Sequence, residues 1–387
     1  MFKKNEYKGE SETKELKISS EYEEISNIID RENYSNKIIK NNDYLTFNIK
    51  KKNLEIIFFL IFTFLILIII LSGILQKNVN ENTNYPVKFS NFINVAYAFD
   101  TNYHYITHVS MKSVMLSQNK DTYIIFHILV PSKIKDEEKK VIDKISLDHQ
   151  NCEIKYYHMG ERYKEINVKG YITWSTAMYY RLRLPELLPK EKRVLYLDCD
   201  TLVYKDLTKL YNYDITGKYF TGMLEPRDLS YLGINVKNYI NTGVMLFNLV
   251  ELRRDDIPKK MEKFLIKYNF RLLFPVNDSI NTVCHERNGY FSPEYVQWGF
   301  CNEHLVNKYI EELQIKVDKN EVLKAYKDPY IYHMIGYKYK PWNGIPNYKG
   351  TVCIDPIARF YEMAKKTDYY YDIIEQFRIY REEIVNK

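Results

Sequence analysis

Residues 193–207 read RVLYLDCDTLVYKDL. Val194 to Leu197 form an unbroken apolar run, the pattern of a strand buried on both faces. Two carboxylates follow at once, Asp198 and Asp200. If the chain stays extended here, side chains two apart point to the same side. Asp198 and Asp200 then face one way and Cys199 turns into packing. Two carboxylates on one side repel each other unless a cation lies between them. Hard oxygen donors of this kind favour Mg²⁺ or Mn²⁺.

Working outward, the periodicity alternates. Short apolar runs at Ile93–Phe99, Tyr123–Val130 and Ile154–Tyr157 predict strands. Helical spacing covers Tyr103–Leu116, Asp136–Leu147 and Tyr171–Leu184, the last ended by Pro185 and Pro189. Strands separated by helices of such length indicate βαβ units, hence an α/β fold with a mostly parallel central sheet flanked by helices. Ligands of such sheets bind beyond the carboxyl ends of the strands. Asp100 and Asp198 both sit at such ends, which makes them one candidate site.

The whole chain has 387 residues, 45% hydrophobic and 27% charged, so a fibrous or wholly disordered protein is excluded. Its net charge of +6 lies beyond residues 1–55, where no Lys/Arg block stands out, which argues against nucleic acid as a partner. Five cysteines carry no Cys-x-x-Cys pair, which argues against a structural zinc site. Residues 56–75 (IIFFLIFTFLILIIILSGIL) carry no charge and are long enough to span a bilayer as a helix. Lys50, Lys51 and Lys52 precede them and only Lys77 lies close behind. That bias places the N-terminus in the cytosol and makes the chain a single-pass type II membrane protein with a lumenal domain. The expected division is 1–55 cytosolic tail, 56–75 signal-anchor helix, 76–90 stem, 91–350 catalytic domain and 351–387 C-terminal helical extension.

Four further segments join the Asp-x-Asp turn: INVAYAFDTNY ending at Tyr103, YYRL at 179–182, NTG at 241–243, and HMIGYKYKPW at 333–342. In this order the chain resembles glycosyltransferase family 8, whose members resemble glycogenin and the bacterial lipopolysaccharide galactosyl- and glucosyltransferases. The resemblance runs from Asn91 to Asn343 and implies the GT-A type nucleotide-sugar-binding fold. It assigns Asp100, Asn102 and Tyr103 to the uridine and places Arg181 by the diphosphate or sugar. Asn241 and Gly243 match the family's Asn-x-Gly segment. Gly336 and Lys340 match its closing phosphate-binding motif, in which one extra residue also makes Lys338 a candidate. Asp198, Asp200 and His333 become the ligands of Mn²⁺ or Mg²⁺.

The family's Asp-Gln-Asp-x-x-Asn is here VNDSIN. Val276 and Asn277 replace its first two residues, while Asp278 and Asn281 remain. Asn277 and Asp278 thus stand with Arg181 as the candidate catalytic groups. The function implied is a retaining, metal-dependent transferase that moves a hexose or pentose from a UDP-sugar to a hydroxyl on a glycan, glycoprotein or glycolipid. The Golgi is the expected home, by analogy, with the endoplasmic reticulum as the alternative. Oligomeric state, including a homo-oligomer, stays open. The alternatives are an inactive domain that only binds a nucleotide sugar or glycan, motivated by Val276 and Asn277, and an Asp-x-Asp phosphohydrolase. The latter is disfavoured because Leu202 stands where its Thr belongs.

Overall fold

The computed structural model describes residue 63 and residues 89–385 apart from 101–102, 164–165, 167–174, 228, 237, 269–270, 299, 301, 314–316, 336–339, 344–346, 349–350 and 353. The chain divides into two units, 1–84 and 85–387, and the second carries nearly all described residues. The expected tail and anchor lie outside the described residues except for Thr63, which is helical, and so does all but the end of the stem. Among the described residues no helix is long and apolar enough to cross a membrane.

The second unit is built from strands β1 (Asn91–Ala98), β2 (Thr122–Val130), β3 (Cys152–His158), β4 (Arg193–Leu197), β5 (Thr201–Val203), β6 (Phe220–Leu224), β7 (Ile240–Asn248), β8 (Asn288–Tyr290), β9 (Val296–Gln297) and β10 (Ile331–His333). Its longer helices are α1 (His104–Ser117), α2 (Asp136–Asp148), α3 (Leu249–Arg254), α4 (Ile257–Tyr268), α5 (Pro275–Val283), α6 (Glu303–Leu313), α7 (Lys319–Lys327), α8 (Asp355–Ala364) and α9 (Tyr370–Val385). A seven-stranded sheet has the order β3-β2-β1-β4-β7-β6-β8. Four of its six pairings are parallel; β7 runs antiparallel to both β4 and β6. A small sheet, β5-β10-β9, stands at the carboxyl end of β4.

The apolar runs are continuous because both faces of the large sheet are covered. In β4, Leu195 and Leu197 enter one core while Val194 and Tyr196 enter the other. In β1, Ile93, Val95 and Tyr97 take the first side and Ala96 the second. Helix α1 covers the first side through Ile106, Val109 and Val114. Helices α3 and α4 cover the second through Leu249, Leu252, Met261 and Leu265. Burying one such aliphatic side chain contributes about 1.5–3 kcal/mol, so a one-residue slip of register here would be costly.

Two sequence expectations change locally. The segment before β4 is a 3-10 helix, Thr176–Arg183, not an α-helix. Ser175 caps it by accepting from the Ala177 N–H. Pro185 does not end it but lies in the first turn of the next short helix, Leu184–Leu187, where a missing N–H costs nothing. Tyr171–Trp174 lie outside the described residues. Residues 198–200, expected to be extended, form a turn in which the Thr201 N–H and hydroxyl both reach the Asp198 carbonyl, at 3.2 and 2.8 Å.

Candidate active site

The turn explains how two carboxylates and a distant imidazole meet. The turn reverses the chain from β4 into β5, and β5 pairs antiparallel with β10, so His333 lies directly across from Thr201. The Met334 N–H bonds the Asp200 carbonyl at 3.0 Å, locking β10 against the turn. His333 Nε2 then lies 3.3 Å from Asp200 Oδ1 and 3.7 Å from Asp198 Oδ2. One ligand atom from each of the three lies within 4.8 Å of the others, in a group suited to one cation. Cys199 turns inward, as expected, with its thiol on the Ala98 carbonyl.

Gly243 supplies the floor. It lies in β7, whose antiparallel pairing with β4 puts its carbonyl 2.6 Å from the Asp198 N–H. A Cβ at this position would stand 2.1 Å from His333 Cε1 and 2.6 Å from Asp198 Oδ2. Only glycine permits the approach, so this residue is a close-packing requirement rather than a turn former. The Gly243 N–H is itself held by Asn241 Oδ1 at 2.9 Å.

Cations flank the acidic pair. Arg181 is buried and bonds Asp198 Oδ1 at 2.8 Å, the Thr242 carbonyl at 2.7 Å and the Met178 carbonyl at 3.0 Å. Its guanidinium also stacks 4.1 Å from the centre of the Tyr196 ring. The Tyr196 hydroxyl donates to Asp198 Oδ1 at 3.1 Å. On the other side the Lys340 ammonium pairs with Asp200 Oδ2. Burial works to raise the Asp198 pKa, but Arg181 first, then His333 and Lys340, hold it below the usual carboxylate range. Burial lowers His333 to about 4 and Lys340 to about 8. The imidazole is therefore neutral near pH 7, the form that ligates metals.

The donor set fits a hard divalent ion: two carboxylates and one neutral imidazole, in a cradle that a single methyl would fill. The other imidazole nitrogen, Nδ1, is buried and meets no hydrogen-bond partner among the described residues.

The remaining expectations fall at different distances from this centre. Asp100 follows β1, the parallel neighbour of β4, and acts electrostatically on Cys199 in the turn. The Tyr103 ring meets Trp342 edge-on at 5.9 Å. Asn102, Gly336 and Lys338 lie outside the described residues. Asn277 lies in α5, where its side-chain oxygen accepts from the hydroxyl of Thr242, the residue before Gly243. Asp278 is fully buried and accepts from Tyr231 at 2.5 Å, Tyr239 at 2.8 Å and the Phe274 N–H at 2.7 Å. Both its oxygens thus meet protein donors. Val276 is buried in the second core.

The sequence reading passed over several groups. Glu225, just beyond β6, is buried; it takes two bonds from Arg227 at 2.9 and 2.6 Å and one from Asn241 at 3.1 Å. Its signal was an acid following a strand, as for Asp100 and Asp198. Tyr196, two residues before Asp198 in the strand, was masked as core by its neighbours. Thr242 was counted only as part of a motif.

Comparison with known proteins agrees with this geometry. The profile described as "Glycosyl transferase family 8" matches residues 94–345. A Haemophilus influenzae protein, named by inference as a glycosyltransferase, is 25% identical over 193 residues, 48% of this chain and 58% of that one. This chain therefore spans little more than half of that relative's length. Lipopolysaccharide 1,2-glucosyltransferase of Escherichia coli is 23% identical over 289 residues, 72% of this chain and 79% of that one. The galactosyltransferase LgtC, solved in complex with donor and acceptor sugar analogues, superimposes with a TM-score of 0.59 at 22% identity. It covers 71% of this chain and 96% of its own. That likeness shows the α/β GT-A-like fold. With the profile covering well over half the chain, the protein belongs to glycosyl transferase family 8.

Proposed function

We propose that the domain transfers a sugar from a UDP-sugar to a hydroxyl acceptor, with retention of anomeric configuration. The observation that carries this reading is the convergence of Asp198, Asp200 and His333 on one point, with Arg181 and Lys340 on either side. The two cations beside the acid pair suit a ligand with the charge of a diphosphate, and Leu202, where an Asp-x-Asp phosphohydrolase has its Thr, weighs against that alternative.

Asp198, Asp200 and His333 would hold Mn²⁺ or Mg²⁺, which when bound neutralises the charge of the departing nucleoside diphosphate. The chain's own residues do the rest. Arg181 fixes Asp198 through Oδ1, leaving Oδ2 turned toward His333. Lys340, paired with Asp200, supplies an ammonium that meets the diphosphate of the bound donor. Asp100, Asn102 and Tyr103 take the uridine, and Gly336 and Lys338 complete the phosphate side. Asn277 is tied through its oxygen to Thr242, which disfavours it as a nucleophile. We therefore read retention as same-face attack, with the acceptor hydroxyl giving its proton to the leaving phosphate. The apolar run 56–75 is read as one membrane anchor that carries the domain into a lumen, the Golgi by analogy.

The test is UDP release from a panel of UDP-sugars by the purified full-length protein in Mn²⁺, with and without EDTA. Release with at least one donor, abolished by EDTA, is expected. Tight UDP binding without release from any donor would instead support a nucleotide-sugar binding protein, the reading motivated by Val276 and Asn277.

A further inference from the structure

The helices α8 and α9 lie beyond residues 94–345, the part of the chain that matches the family. They are not peripheral. Phe360 of α8 and Phe377 of α9 pack on one ring, Trp342, at centroid distances of 5.7 and 5.6 Å, and on each other at 5.6 Å. All three rings are at most 3% exposed. On its other side Trp342 meets Tyr103 at 5.9 Å. The Lys340 ammonium lies 5.7 Å from the Trp342 ring and pairs with Asp200. Only Pro341, whose ring fixes its own φ, separates Lys340 from Trp342, so a displaced indole shifts the backbone that carries the ammonium.

A second contact comes from the residue just before Phe360 in the same helix. Arg359, held by Asp355 at 2.9 and 3.0 Å, stacks 4.9 Å from the centre of the Tyr332 ring. Tyr332 directly precedes His333. One turn of α8 therefore backs both the strand of the imidazole and the tryptophan beside the lysine.

We propose that α8 and α9 form a positioning clamp for the active site. Phe360 and Phe377 fix Trp342, and through it set where the Lys340 ammonium reaches. Both are positioning residues: neither touches the cation site, and they act on substrate only through Trp342 and Lys340. The inference rests on the reading that Lys340 meets the donor's diphosphate. It assigns to this chain's C-terminal segment a task in donor binding, whereas plain packing would make it a matter of stability alone.

The two roles separate in one experiment on the full-length protein. UDP affinity is measured by calorimetry in Mn²⁺, and donor KM and kcat by UDP release, for wild type, Phe377→Ala, Lys340→Met and the double variant. Misplacing a binding group by a fraction of an ångström is expected to weaken UDP binding and raise donor KM about tenfold in Phe377→Ala, with kcat within about twofold. In the Lys340→Met background the same substitution should add little, because the group it positions is gone. Phe377→Leu keeps most of the apolar volume and should give a smaller rise of the same sign, which covers the case in which the alanine variant does not fold. Unchanged KM and UDP affinity in folded Phe377→Ala or Phe377→Leu, or equal effects with and without Lys340, overturn the clamp alone. A wild-type protein that binds no uridine nucleotide overturns the reading of the site and the clamp with it.

Discussion

His333 Nε2 lies 3.7 Å from Asp198 Oδ2, and the backbone of Gly243 passes so close to both that a methyl there would overlap them. Asp198 stands in the turn after β4 and His333 ends β10, far apart in sequence, and the absence of one side chain lets them meet. Gly243→Ala should therefore push the imidazole or the carboxylate aside while leaving the sheet in place. Turnover should fall about 10²–10³-fold, the usual cost of losing one electrostatic stabiliser, and far-UV circular dichroism should match the wild type. Wild-type turnover in this variant would mean that the close approach is irrelevant to the reaction.

Arg181 predicts a loss of stability as well as activity. It is buried, bonds two carbonyls and pairs with Asp198. Removing one partner of a buried pair typically costs about 3–5 kcal/mol, and partial access of water to Asp198 puts the expectation at the lower end, about 3 kcal/mol. Urea denaturation of Arg181→Met should show it, with Asp198→Asn added to the same variant recovering part of the loss. A midpoint within error of wild type would remove Arg181 from the framework of the site.

Asp278 and Asn277 are neighbours with different surroundings, and substitutions should separate them. Asp278→Asn puts an amide N–H₂ against at least one of the donors from Tyr231, Tyr239 and the Phe274 backbone. An unsatisfied buried donor costs about 1–3 kcal/mol, so the melting temperature should drop. Asn277→Asp keeps the oxygen that accepts from Thr242 and should leave stability nearly unchanged while altering turnover. Full stability with abolished turnover in Asp278→Asn would restore that carboxylate as a reacting group.

Two histidines away from the site set a pH dependence. His108 bonds the Val141 carbonyl at 2.6 Å; His127 lies between Tyr157 at 3.0 Å and Asn94 at 2.8 Å. Burial lowers them to about 4 and about 3. Unfolded, each takes a proton near pH 6.5. Both thus contribute stability in full above about pH 6.5, and lose it as pH falls toward 4 and then 3. Between pH 7 and 5 the unfolding free energy should drop by about 2 kcal/mol per histidine. Denaturant titrations of wild type and His127→Gln check this: the variant should show the shallower slope, and equal slopes would contradict it.

Much of this was legible in residues 193–207 and in the apolar runs around them. The strand Arg193–Leu197 coincides with its sequence reading, because a run buried on both faces leaves no doubt about where water begins. The acid pair was visible for the same reason. Its geometry was not: two acids at spacing two are compatible with a strand or a turn, and the Thr201 bonds to the Asp198 carbonyl decide for the turn. Gly243 was visible as a motif residue, but its purpose depends on His333, some ninety residues later, and on the β4–β7 pairing. Glu225 and the clamp on Trp342 were hidden because each is a product of long-range packing. Phe360 and Phe377 look like any apolar stripe of a surface helix until the ring they cover is known.

The central claim is that Asp198, Asp200 and His333 hold one divalent ion. Mn²⁺ titration in the presence of UDP, followed by calorimetry on wild type, Asp200→Ala and His333→Ala, addresses it without depending on the donor sugar. Loss of an outer-shell partner typically weakens metal binding about 10–100-fold, so loss of a direct ligand should cost at least about 100-fold. The wild type should bind one ion per chain, and both variants should lose that affinity. One ion bound equally tightly by Asp200→Ala and by wild type would contradict the account.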